Sequence, residues 1–210
     1  MLKQILGELK AHAPFTFFGA VTGVIIMIFC YRLPYRISYD IFYVFHPVHV
    51  FLSALVTSSM YKLHECGRLS GKCLTGRCNF LALLAIGYVG SVGIATLSDS
   101  IIPYLCEMLF NMPRRGVHFG FIEKWWLVNP LAIAGIAVAY FWPKTKFPHA
   151  GHVLLSTWAS LFHIIMALGG SLNLLLYFII PVFLFLAVWV PCCVSDIVFP
   201  LLFVRSGDAK

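Results

Sequence analysis

Scored only for apolar and polar positions, the chain alternates six long apolar stretches with short polar breaks. The stretches cover residues 14–31, 40–61, 79–106, 126–142, 151–170 and 173–204. Each approaches or exceeds the ~20 apolar residues that a helix needs to cross a hydrocarbon core. Lipid offers no partner to an exposed backbone amide or carbonyl, so such spans must be helical. The pattern therefore predicts an all-α integral membrane protein with six transmembrane helices. The third and sixth stretches are the longest and carry Pro103 and Pro200 near their ends, so each is expected to be broken or tilted there.

The polar residues inside this pattern repeat. The second stretch contains HPVHVFLS, residues 46–53, and the fifth is entered through HAGHVLLS, residues 149–156, with five of eight positions identical. The third and sixth close on SDSIIPYL (98–105) and SDIVFPLL (195–202), both of the form S-D-x-x-x-P-x-L. A weaker echo opens the first and fourth, where Pro14 precedes Gly19 and Pro130 precedes Gly135 at equal spacing. Three phrases in one order define two repeats of three spans. Three is odd, so the copies enter the bilayer from opposite sides, and the predicted architecture is two inverted three-helix repeats, as in many secondary transporters. The corresponding division is an amphipathic lead-in over 1–13, a first repeat over 14–106, a connecting loop over 107–125, a second repeat over 126–204 and a tail over 205–210.

Composition changes this picture little and excludes a good deal. Of the 210 residues, 60% are hydrophobic and 11% charged, against roughly 25% charged in a soluble domain. The net charge of +7 is scattered through short loops, where Lys and Arg help to set topology. No nucleic-acid partner is expected; the expected partners are the lipid bilayer and a small ion, and a homo-oligomer is compatible with both. The basic residues orient the chain only weakly, toward a cytoplasmic N-terminus in a multi-pass inner-membrane protein. The first residues lack a signal-peptide cleavage pattern.

The candidate chemistry lies in the repeated phrases. Residues three apart share a helix face, so His46 with His49, and His149 with His152, can each address one partner. Asp99 and Asp196 supply it, and two His-His-Asp clusters result, expected near opposite sides of the membrane. Two imidazoles and a carboxylate suit a borderline divalent ion such as Zn²⁺, Mn²⁺ or Fe²⁺. Ser98 and Ser195 can orient the aspartates, and the prolines beside the first histidines, Pro47 and Pro148, can free backbone groups. A carboxylate at membrane depth costs at least ~2.5–3.5 kcal/mol on insertion scales, which makes such a residue functional by default. A separate candidate is the loop HECGRLSGKCLTGRC with His64, Cys66, Cys73 and Cys78; its C-x6-C-x4-C spacing matches no standard zinc knuckle and has no counterpart in the second repeat. The remaining cysteines, Cys30, Cys106, Cys192 and Cys193, lie in apolar segments and read as small buried hydrophobes.

Three functions compete. Two symmetric clusters favour a small divalent-metal transporter with imidazole available for proton coupling, rather than an enzyme. A b-type haem protein is the second, because His149 and His163, and likewise His49 and His64, are spaced for two stacked haems; the antiparallel walk would pair His49 with His163 and His64 with His149. A membrane-embedded metal-dependent hydrolase is the third and needs one asymmetric site with an open coordination position.

Overall fold

The computed structural model describes residues 2–67, 80–143, 146–193 and 198–203. Among them the only regular structure is helical. In chain order the helices are α1 (Leu2–Cys30), α2 (Tyr35–Gly67), α3 (Phe80–Thr96), a π-helical turn (Leu97–Ile101), α4 (Ile102–Leu109), α5 (Gly120–Glu123), α6 (Trp125–Phe141), α7 (Lys146–Leu168), α8 (Leu174–Cys193) and α9 (Phe199–Leu202). Five stretches are long and apolar enough to cross a membrane: Ala13–Cys30, Tyr35–Glu65, Phe80–Leu109, Ala150–Leu168 and Leu174–Cys192. The fourth predicted span corresponds to α6, which has 17 residues and is shorter than the others.

Large apolar side chains cover much of the surface. Phe15, Phe17, Phe18, Ile25 and Phe29 of α1 are exposed, as are Leu174, Leu175, Phe178 and Val182 of α8. The interior combines an apolar core, with Met27, Phe42, Leu161 and Leu184, and many buried serines, threonines and histidines. On α2 the buried set includes His46, His49, Ser53, Thr57 and Ser58; on α7 it is His152, Ser156, Thr157, Ser160 and His163. Burying polar groups in this way keeps them from an apolar surround. Helices α2 and α7 pack on each other as the enclosed centre.

Around that centre the first helix of each predicted repeat packs on the other repeat. Helix α1 packs on α7 and α8, whereas α6 packs on α2 and α3. Two glycines allow this. A methyl at Gly135 of α6 would collide with the Phe51 carbonyl oxygen and lie 3.0 Å from the Ala54 methyl, both on α2. A methyl at Gly19 of α1 would lie 2.9 Å from the Thr157 hydroxyl on α7. Close backbone approach of this kind replaces the hydrophobic effect as the adhesive between helices in lipid. Gly135→Ala should therefore destabilise the bundle by about 1–3 kcal/mol through overpacking. The control is Gly93→Ala, where the added methyl meets open space and should be neutral or stabilising. Thermal melts of the two variants in one detergent compare them directly; equal melting temperatures would refute a tight α2–α6 contact.

The third span is interrupted, but at Leu97–Ile101 rather than at its proline. The amide of Ile102 donates to the Leu97 carbonyl, five residues back. In that wide register the Ser98 carbonyl would be served by residue 103, and Pro103 has no amide hydrogen. The Ser160 hydroxyl of α7 reaches into the gap, sharing its one proton between the Ser98 carbonyl at 2.9 Å and the Ser156 carbonyl of its own helix at 2.8 Å. Proline thus sets up the irregular turn that carries Asp99, and α7 closes it. Single π turns of this sort concentrate at functional sites.

Candidate metal centre

Asp99 is fully buried where the π turn meets α2 and α7. One carboxylate oxygen accepts hydrogen bonds from His46 Nδ1 at 2.9 Å and His49 Nδ1 at 2.7 Å. The other accepts from the Ser98 and Ser156 hydroxyls, both at 2.7 Å. An ionised carboxylate has about four lone-pair positions, so these four donors saturate it. The Nδ1 donors fix the tautomer of both imidazoles and leave their Nε2 atoms as the basic ends. His46 stacks on Phe42 with ring centroids 5.1 Å apart. It fits only because Gly120 has no side chain, since a methyl there would collide with the imidazole.

The second repeated phrase reaches the same place. The ring of His152 stacks on that of His49 with centroids 5.7 Å apart and planes inclined by 20°. The sequence pattern predicts two clusters near opposite sides of the membrane; among the described residues, His49 of the first phrase and His152 of the second stand side by side. Helix α2 begins at Tyr35 rather than 40 and α7 at Lys146 rather than 151, because polar residues such as Arg36 and Asp40 continue a helix that hydropathy cuts short. His49 consequently lies roughly 21 Å along α2, not 10 Å inside a boundary, at 1.5 Å per residue. Ser195, Asp196 and the side chain of His149 lie outside the described residues, as do Cys73, Cys78 and the side chain of Cys66.

A second polar cluster lies toward the loop between α4 and α5. Glu107 and His163, both buried, pair at 2.7 Å. The His163 ring packs edge-on against His118, with centroids 5.2 Å apart. His118 in turn faces Glu123 at 3.2 Å, and Glu123 also accepts from the Tyr43 hydroxyl at 2.8 Å. The carboxylate within the apolar phrase LCEMLF, residues 105–110, marked Glu107 as a membrane-depth acid, and the sequence reading passed over it. Glu123 and His118 gave no such signal, because loop positions carry no depth.

Of the haem candidates, His64 is exposed and donates from Nδ1 to the Met60 carbonyl of its own helix at 2.9 Å. His49 pairs with Asp99 and stacks on His152, and His163 pairs with Glu107. Two triads can hold a metal ion, His46–His49–Asp99 and His49–His152–Cys192; in each, the ligand atoms lie within 4.8 Å of one another.

Among these groups, His118 and Glu123 outside the spans give a pH signature. Burial, with His163 nearby, holds the His118 imidazole below its ordinary 6.5 against the opposing pull of Glu123. Burial alone would raise the Glu123 carboxyl, but hydrogen bonds from Tyr43 and His118 outweigh it and hold it below its ordinary 4.5. For both groups the unfolded chain binds protons at higher pH than the folded one. Stability therefore rises with pH through these windows. Acidification should cost stability first below about pH 6.5 through His118, then below about pH 4.5 through Glu123. In detergent, His118→Gln should lose less melting temperature than wild type between pH 7 and 5. Parallel slopes in the two proteins would count against it.

The fold and this centre define a helical, apolar, membrane-like protein whose buried His and Asp groups can hold a metal ion. Compared with protein-family models, curated proteins and solved structures, the chain matches none.

Proposed function

We propose that the protein is a small transporter of a divalent metal cation, with Zn²⁺, Mn²⁺ and Fe²⁺ as the candidate substrates. The observation that carries this is the stacking of His49 on His152 above a saturated, fully buried Asp99, at the contact of the two enclosed helices. Ionisable side chains buried inside an apolar helical bundle are costly and are a functional signal by default.

The six-span, inverted-repeat architecture belongs to the same proposal. Trp125, Trp126, Phe141 and Trp142 are all exposed at the two ends of α6, as anchors at both lipid interfaces would be. The exchanged packing of α1 and α6 supports a two-fold relation between halves. Ala54 and Thr157, which face Gly135 and Gly19, directly follow the serine of the repeated phrase in each half. Helices α2 and α7 then lie beside the pseudo-axis, and rocking the halves about it opens the centre to one side at a time. The Glu107–His163–His118–Glu123 cluster gives a cation or a proton a polar route from one of those sides.

Flux is the test. Purified protein reconstituted into vesicles that contain a metal-sensitive dye should take up at least one of the three ions faster than protein-free vesicles. Equal rates for all three ions would remove the transport proposal.

A further inference from the structure

We propose that the ion is held by His49, His152 and the Cys192 thiolate, and that Asp99 stays outside the coordination sphere. The inference rests on the metal-site reading and names its donor set and substrate class. It makes Cys192 a ligand, although its apolar sequence setting gives it only the role of a small hydrophobe.

Geometry separates the two triads. His49 Nδ1 and Asp99 sit 2.7 Å apart, with His46 Nδ1 on the same oxygen at 2.9 Å. Ligand atoms around one tetrahedral zinc are separated by roughly 3.4–3.7 Å, given bonds of about 2.0–2.3 Å. Atoms already in hydrogen-bond contact would have to move apart and surrender their protons to admit an ion.

The other triad has the opposite character. His49 Nε2 is buried and has no hydrogen-bond partner, which is costly for an acceptor unless something else occupies it. With Nδ1–H held by Asp99, that nitrogen presents its lone pair. Two imidazoles on one tetrahedral ion place their ring centroids roughly 5–6 Å apart, and His49 and His152 stand at 5.7 Å. Cys192 of α8, 1% exposed, offers sulfur within 4.8 Å of both. A contraction of at most about 1 Å brings three donors to bonding distance and leaves a fourth position open.

The charges also close. Binding releases the thiol proton, so one M²⁺ enters as one H⁺ leaves. The dication, the thiolate and the Asp99 carboxylate then sum to zero in a medium where net charge is expensive. Asp99 bonded to the ligating imidazole is the carboxylate–histidine–metal arrangement that orients the ring and raises its basicity. A thiolate with two imidazoles selects borderline and soft ions, Zn²⁺, Co²⁺ and Cd²⁺, over Mn²⁺ and Mg²⁺, which favour oxygen.

Cobalt tests this on the purified full-length chain in detergent. Titrating Co²⁺ should produce a near-ultraviolet thiolate-to-cobalt charge-transfer band that saturates at one equivalent. Zn²⁺ should bleach the band, whereas tenfold Mn²⁺ should not. Cys192→Ser and Cys192→Ala should both lose the band, and Cys106→Ser, at a buried thiol elsewhere, should keep it. Cobalt bound without the band, or a band that survives both Cys192 variants, overturns the thiolate assignment and leaves the metal reading standing. No cobalt bound at all overturns both. If the Cys192 variants fold poorly, the wild-type spectrum alone still decides whether sulfur ligates.

Discussion

Asp99→Asn should cut metal affinity by about 10–100-fold, the usual effect of disturbing a partner behind a ligating histidine. Transport at low metal should fall in proportion, with the protein still inserted and folded. The amide oxygen can accept from His46 and His49 as the carboxylate does. The amide nitrogen can face Ser98 and Ser156, whose hydroxyls rotate to accept. The hydrogen-bond network therefore survives, and what disappears is the charge. Insertion becomes easier by up to the ~2.5–3.5 kcal/mol that a membrane carboxylate costs. Calorimetric titration with Zn²⁺, beside a thermal melt, checks both halves. Binding reduced below detection would place Asp99 among the direct ligands. Normal affinity with poor expression would make it structural.

The second large effect belongs to the stacked pair. His49→Ala and His152→Ala should each remove all high-affinity binding, with losses beyond the roughly 100-fold ceiling of an outer partner. The double variant should be no worse than either single one. Residues that serve one ion are not additive, and double-mutant cycles report coupling of about 0.5–3 kcal/mol or more between groups in direct contact. Two independent clusters, as the repeated phrases first suggest, predict something different: each single variant would lose half the stoichiometry and keep the rest intact. The number of equivalents bound by His49→Ala distinguishes the two outcomes.

Much of the fold was legible from the apolar pattern, and part of the centre from the repeat. Apolar runs mark the slab of helix that lipid touches, which is why five spans were located to within a few residues of their cores. They do not mark helix ends. YRISYD at the start of α2 and KFPHA at the start of α7 look like loop and are helix. The grouping of His46, His49 and Asp99 was readable because a shared face and a shared side brought them together. Ser156 bonding to Asp99 was not, because that contact joins the two repeats and no spacing within one repeat encodes it. Cys192 read as a small hydrophobe because its sequence neighbours are apolar.

The packing of α1 on α7 and α8, rather than on its own neighbour in sequence, has a consequence for biosynthesis. The ribosome delivers α1 first, yet its partners are not complete until residues 168 and 193 have emerged. At typical elongation rates of roughly 5–20 residues per second, that wait is on the order of ten seconds. Throughout it, the first helix sits in lipid with Gly19 and the buried Thr16 uncovered. A nascent chain halted before α7 leaves α1 an orphan, open to membrane chaperones and proteases. Co-expressing residues 1–110 with residues 111–210 as separate chains should rescue each fragment from the degradation it meets alone, because each half carries the helix that the other half lacks.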